Sequence, residues 1–78
     1  MRFSNPVSVL RKAWKNGYAV GAFNFQNMEI AQAIINAANK EKAPVIMQTS
    51  EGAIEYAGLD YLKNIAATCL ENSKVPVI

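Results

Sequence analysis

Apolar residues along the chain recur in two alternating patterns, and the switches between them fall at turn residues. The first pattern is helical: Val7, Leu10 and Trp14 follow Asn5-Pro6. An Asn side chain accepts a hydrogen bond from an orphan amide and Pro is pre-shaped for the first helical position, so the pair predicts a helix start. Arg11, Lys12 and Lys15 lie near its end, where cations suit the helix dipole, and Asn16-Gly17 closes it. The run Tyr18-Ala19-Val20-Gly21-Ala22-Phe23-Asn24 is short, nearly all apolar and bounded by turn signals, which predicts a strand buried on both faces. Its small residues Ala19, Gly21 and Ala22 imply close neighbours.

The helical spacing then returns. Asn27 precedes a long periodic segment with Glu29 in its first turn, predicting a helix from about Met28 to Lys42 with Ile30, Ala33, Ile34, Ala37 and Ala38 inward. Ala43-Pro44 ends it, because the residue before Pro is pushed out of the helical region. Val45-Ile46-Met47-Gln48-Thr49 reads as a second strand. Ser50-Glu51-Gly52-Ala53 opens a short irregular or helical excursion to Gly58, and a further helix runs from Leu59 or Asp60 to Asn72 with Leu62, Ile65, Ala66, Cys69 and Leu70 inward. Ser73-Lys74 turns into a third apolar strand, Val75-Pro76-Val77-Ile78.

Helix, strand, helix, strand, helix and strand onset with short connections are the signature of right-handed parallel βαβ units. Two strands and a stub cannot close a barrel or cover both sheet faces, so the expectation is the opening of a larger α/β domain. A (β/α)8 barrel takes about 250 residues, which makes residues 1–78 an incomplete barrel domain, its N-terminal third: a leading helix, two βα units and the start of strand 3.

Composition narrows the chemistry. At 78 residues, 51% hydrophobic and 18% charged, the chain is one small unit whose stability alone is marginal. It holds no His and a single Cys69, which excludes an internal disulfide, a Cys/His zinc site and any triad with an imidazole base. The net charge is +2, and the basic residues Arg2, Arg11, Lys12, Lys15, Lys40, Lys42, Lys63 and Lys74 are scattered, which argues against nucleic-acid binding. Apolar runs stop well short of the ~20 residues of a membrane span. The stretch Met1 to Pro6 lacks the apolar core of a signal peptide, and the lone thiol suits a reducing compartment, so a cytoplasmic protein is expected.

Parallel α/β folds collect function at the carboxyl ends of their strands. Asn24 ends the first strand and Ser50 follows the second, so both address one mouth, either as pocket residues or as turn and capping residues. Gln48 could lie inside the barrel. Asn27 reads as an N-cap, Glu51 and Glu55 as solvated charges rather than an acid/base pair, and Cys69 as core. Gly17, Gly21, Gly52 and Gly58 form no phosphate-loop spacing.

Three blocks carry a resemblance: Gly17-Tyr18-Ala19-Val20-Gly21-Ala22-Phe23-Asn24-Phe25, then Asn27-Met28-Glu29, then Ala43-Pro44-Val45-Ile46-Met47-Gln48-Thr49-Ser50-Glu51-Gly52-Ala53. At their separations they resemble the N-terminal region of class II, zinc-dependent fructose-bisphosphate aldolases, a likeness that covers essentially the whole chain and is partly shared by tagatose-bisphosphate aldolases. It implies a TIM barrel lyase acting on a phosphorylated sugar, homo-oligomeric as the parent protein, with zinc polarising the ketone carbonyl and an Asp moving the C4 hydroxyl proton. The family's substrate-contacting Ser falls on Ser50 and its pocket Asn on Asn24. The catalytic Asp and zinc-ligand His residues follow later in the family's pattern, so the expectation is an N-terminal fragment with no catalytic residue and no metal ligand of its own, inactive alone. A self-associating, non-catalytic α/β module, its Asn and Ser serving only as caps, is the competing expectation.

Overall fold

The computed structural model describes residues 3–78; Arg2, among the scattered cations, and Met1 lie outside the described residues. Helix α1 (Pro6–Asn16) starts as its sequence dictates: the Asn5 side chain accepts from the Val7 amide at 2.9 Å and Pro6 takes the first turn. Gly17 ends it in the left-handed conformation (φ 73°), donating its amide to Ala13 and Trp14 carbonyls. Only Ala13 of this helix is buried. Val7, Leu10 and Trp14 stand exposed.

Strand β1 (Gly21–Asn24) is shorter than the apolar run. The Tyr18 amide is taken by the Ala13 carbonyl at 3.0 Å, and pairing begins only at Gly21 opposite Val45. The expected burial on both faces is not met: β1 pairs with a single strand and Ala22, Phe23 and Asn24 are exposed. A parallel strand is buried on both faces only where cover exists on both, and β1 stands at the sheet's edge.

Helix α2 (Met28–Glu41) is capped by Asn27, whose side chain accepts from the Ile30 amide at 2.8 Å. It ends one residue before the expected boundary, with Lys42 left-handed at φ 53° and its amide on the Ala38 and Asn39 carbonyls. The buried face is Ala31, Ile35 and Ala38; of the expected stripe Ala38 is buried and Ile34 is partly buried against the core, whereas Ile30, Ala33 and Ala37 stand exposed. Both stripes are apolar, so spacing alone selects neither. The first faces the core; the second, with Gly21 and Phe23 of β1, lines an open apolar groove.

Strand β2 (Val45–Gln48) runs parallel to β1 in the register Gly21–Val45, Ala22–Ile46, Phe23–Met47 and Asn24–Gln48. The expected third strand begins on its far side, where Val77 bridges Val45 in parallel and the Met47 amide donates to Ile78 at 2.8 Å. The outer edge of that strand receives the Ser4 amide on the Val77 carbonyl at 2.8 Å. Between β2 and this strand run α3 (Glu51–Ala57) and α4 (Leu59–Glu71), so the excursion after Ser50 is helical. Leu62, Cys69 and Leu70 of α4, with Ile65 and Ala66 partly buried beside them, close on Ala31, Ile35, Val45 and Val77 as expected. Asn39 of α2 ties down the turn that follows α4: its Nδ2 donates to the Asn72 carbonyl at 3.1 Å and its Oδ1 accepts the Lys74 amide at 2.8 Å. No helix among the described residues is long and apolar enough to cross a membrane.

Candidate functional site

Two parallel strands deliver their carboxyl ends side by side, and the register decides what meets there. Asn24 and Gln48 close the ladder as opposite residues, and the next amide, that of Phe25, donates to the Gln48 carbonyl at 3.0 Å. This fixes the two Cα atoms beside each other, and the side chains complete the contact: Gln48 Nε2 donates to Asn24 Oδ1. An amide carries one acceptor oxygen and one donor nitrogen. The bond therefore consumes Asn24's oxygen and one Gln48 hydrogen, leaving Asn24 Nδ2 as a donor and Gln48 Oε1 as an acceptor at the sheet's edge.

Ser50 lies two residues past β2, in extended backbone at the start of α3, with its Oγ accepting the Ala53 amide at 3.1 Å. A hydroxyl has one hydrogen and two lone pairs. Capping uses one lone pair, so the Ser50 hydrogen remains free to donate to an anionic or hydroxyl oxygen. The capping reading of Ser50 is thus correct and does not compete with a binding role. Asn27 is a cap alone in this structure, as expected.

Of the site residues expected from the sequence, Asn24 and Ser50 both stand at the carboxyl edge, exposed. What sequence reasoning missed is the pairing of Asn24 with Gln48. The apolar run from Tyr18 gave no sign of it: the two residues meet because both strands start flush, at Gly21 and Val45, and each residue is fourth from that start. Glu51 and Glu55 are exposed on α3. Cys69 is buried in the core, and burial pushes its thiol up from the ordinary 9.0.

The zinc ion that the sequence resemblance implies does not fit the residues of this chain. There is no His, the one thiol is buried and held protonated, and no group of three His, Cys, Asp or Glu side chains comes together among the described residues.

Two amides and a hydroxyl at the carboxyl edge of a parallel βαβ unit define a class: an α/β sheet protein with neutral hydrogen-bonding groups where such folds receive ligands. Residues 4–78 match the family model described as fructose-bisphosphate aldolase class-II. The chain is 49% identical over 70 residues to a fructose-bisphosphate aldolase of Helicobacter pylori (strain ATCC 700392 / 26695), covering 88% of this chain and 23% of that protein. It is 48% identical over 71 residues to that of Thermus caldophilus, covering 91% and 23%. Against that of Treponema pallidum it is 45% identical over 67 residues, covering 86% and 20%. The chain belongs to the class II fructose-bisphosphate aldolase family, and it spans about a fifth to a quarter of the length of these curated relatives.

Proposed function

We propose that this chain is the N-terminal part of a (β/α)8-barrel lyase that cleaves fructose 1,6-bisphosphate reversibly into dihydroxyacetone phosphate and glyceraldehyde 3-phosphate, and that its own contribution is two substrate-facing strand ends. The observation that carries this is the coincidence of a family match over residues 4–78 with polar side chains from both strands at the carboxyl edge. A parallel sheet that continues past β2 into a third strand and leaves the other edge of β1 open for a further strand supports the barrel reading.

In this reading Asn24 Nδ2 and the Ser50 hydroxyl donate to oxygens of the phosphorylated sugar, fixing its position at the mouth. Zinc supplies carbonyl polarisation in the parent enzyme and is held by residues outside this chain, as is the proton-transferring carboxylate. The 78-residue chain alone is accordingly inactive, and the parent is a cytoplasmic homo-oligomer with a phosphorylated sugar, rather than nucleic acid or membrane, as its partner. The tagatose 1,6-bisphosphate epimer differs at one hydroxyl centre, so the test compares both sugars.

Aldol cleavage by the full-length polypeptide is expected with fructose 1,6-bisphosphate and faster than with the tagatose epimer; preference for tagatose would reassign the substrate. The 78-residue chain with added zinc is expected to show no turnover. Turnover by it would refute the assignment of the chemistry to residues elsewhere.

A further inference from the structure

We propose that the groove between α2 and α4 is a two-fold contact surface, taken by the same groove of a second copy of this chain. The inference rests on the reading of the parent as a homo-oligomer and deepens it by naming the surface. Met28, Gln32 and Asn36 of α2 form one wall and Tyr61, Asn64 and Thr68 of α4 the other, with Ile35 and Ile65 at the floor. The wall residues fall at i, i+4 and i+8 on α2 and at i, i+3 and i+7 on α4, so each wall is a continuous helical stripe. All six are exposed.

Charge separates this groove from an ordinary solvated helix face. Helices α2 and α4 carry Glu29, Lys40, Glu41, Asp60, Lys63 and Glu71, and none of these lines the groove. Protein interfaces are depleted of Lys, Glu and Asp and enriched in Tyr and Met, the two large side chains exposed here. Neutrality also selects the partner. A two-fold axis sets a surface against itself, so a charged groove would meet its own charge, whereas an amide carries both donor and acceptor and pairs with a second amide. Gln32, Asn36 and Asn64 supply three such amides. Two helices laid on two helices of the partner make the contact of a four-helix bundle. The groove beside β1, lined by Phe23, Ile30 and Ala33, differs in place: it lies at the open sheet edge, where a further βα unit of the same chain adds. The α2–α4 groove lies between helices already packed on each other, so growth of the sheet leaves it facing outward.

The test is sedimentation of the full-length protein as wild type and as Asn64→Lys, with oxidation of Met28 by hydrogen peroxide followed by peptide mass spectrometry. Lysine is a better helix former than asparagine and position 64 is exposed, so the variant is expected to fold. It sets like charges across the axis and should weaken self-association at this contact at least about 100-fold, leaving monomers or a smaller assembly. Met28 should oxidise about tenfold or more slowly in the wild-type assembly than in the dissociated variant, because susceptibility follows exposure. Self-association of Asn64→Lys as tight as that of wild type would overturn the proposal. Met28 equally reactive in the two proteins would overturn it by placing the contact elsewhere, and Met28 protected in both would overturn it by giving the cover to the rest of the chain. Failure of the underlying reading looks different: wild type would then sediment as a monomer at every concentration. Gln32→Lys, on the opposite wall, carries the same comparison should Asn64→Lys fail to fold.

Discussion

Leu62 of α4 and Trp14 of α1 both belong to apolar stripes on helices of similar length, yet Leu62 is 2% exposed and Trp14 is 83% exposed. The difference lies in what surrounds each helix. Helix α4 packs against α2 and α3, and its stripe meets Val45 and Val77 of the sheet. In helix α1, Val7, Leu10 and Trp14 meet no apolar cover among the described residues. The same contrast separates the two sides of α2: Ala31 and Ile35 are sealed by α4 and β2, while Ala33 and Ala37 line a groove open to solvent. Periodicity in a sequence reports that a face is meant to be covered; it does not report whether the cover is in the same stretch of chain.

The largest effect that can break this comparison is Leu62→Ala. It is expected to cost about 2–5 kcal/mol in urea unfolding, whereas Trp14→Ala in the same chain should change stability by less than about 0.5 kcal/mol. In the full-length polypeptide, Trp14→Ala rising to about 3 kcal/mol or more would show α1 covered there. A Leu62→Ala cost as small as that of Trp14→Ala would erase the distinction between the regions.

Next in size is Asn39→Ala. It removes both hydrogen bonds that hold the turn between α4 and the third strand, and about 1–3 kcal/mol is expected, with faster amide exchange at Lys74. Asn27→Ala should cost about 1 kcal/mol by uncapping α2, and Asn27→Gly only a few tenths. Lys42→Gly runs the other way. Lys42 sits left-handed at φ 53°, so glycine there is expected to raise stability by about 1 kcal/mol.

Cys69 gives the smallest effect and a sign. Burial raises its thiol above 9.0, so the folded chain keeps a proton that the unfolded chain has lost. The stability this contributes is complete below pH 9.0 and is lost as pH rises past it toward the folded value. A Cys69→Ser variant should lack that alkaline decline, and wild-type Cys69 should resist alkylation until the chain unfolds.

Much of the fold is legible where one residue has one physical solution. Asn5-Pro6, Asn27 and Gly17 mark helix ends because an orphan amide needs an acceptor and a left-handed residue favours glycine. Lys42 was not legible, since nothing in a lysine announces a left-handed backbone. The face of α2 was legible only in part: Ala38 and Ile34 turn inward as expected, but Ile30, Ile34, Ile35 and a scatter of alanines give two apolar stripes, and the position of α4 chooses Ala31 and Ile35 over Ile30, Ala33 and Ala37. At the site, Asn24 and Ser50 were readable as strand-end residues. The Asn24–Gln48 contact depends on a ladder starting flush at Gly21 and Val45, whereas the apolar run suggested a start at Tyr18.

The most direct test of the central claim, that this chain supplies substrate contacts at its strand ends, is kcat/KM of the full-length enzyme carrying Ser50→Gly. Glycine keeps most of the capping preference at the start of α3 while removing the Oγ, so thermal stability should hardly change. Loss of a hydrogen bond to a charged oxygen predicts a fall in kcat/KM of about 10-fold to 100-fold with fructose 1,6-bisphosphate. An unchanged kcat/KM with intact stability would contradict the account and leave Ser50 a helix cap and nothing more.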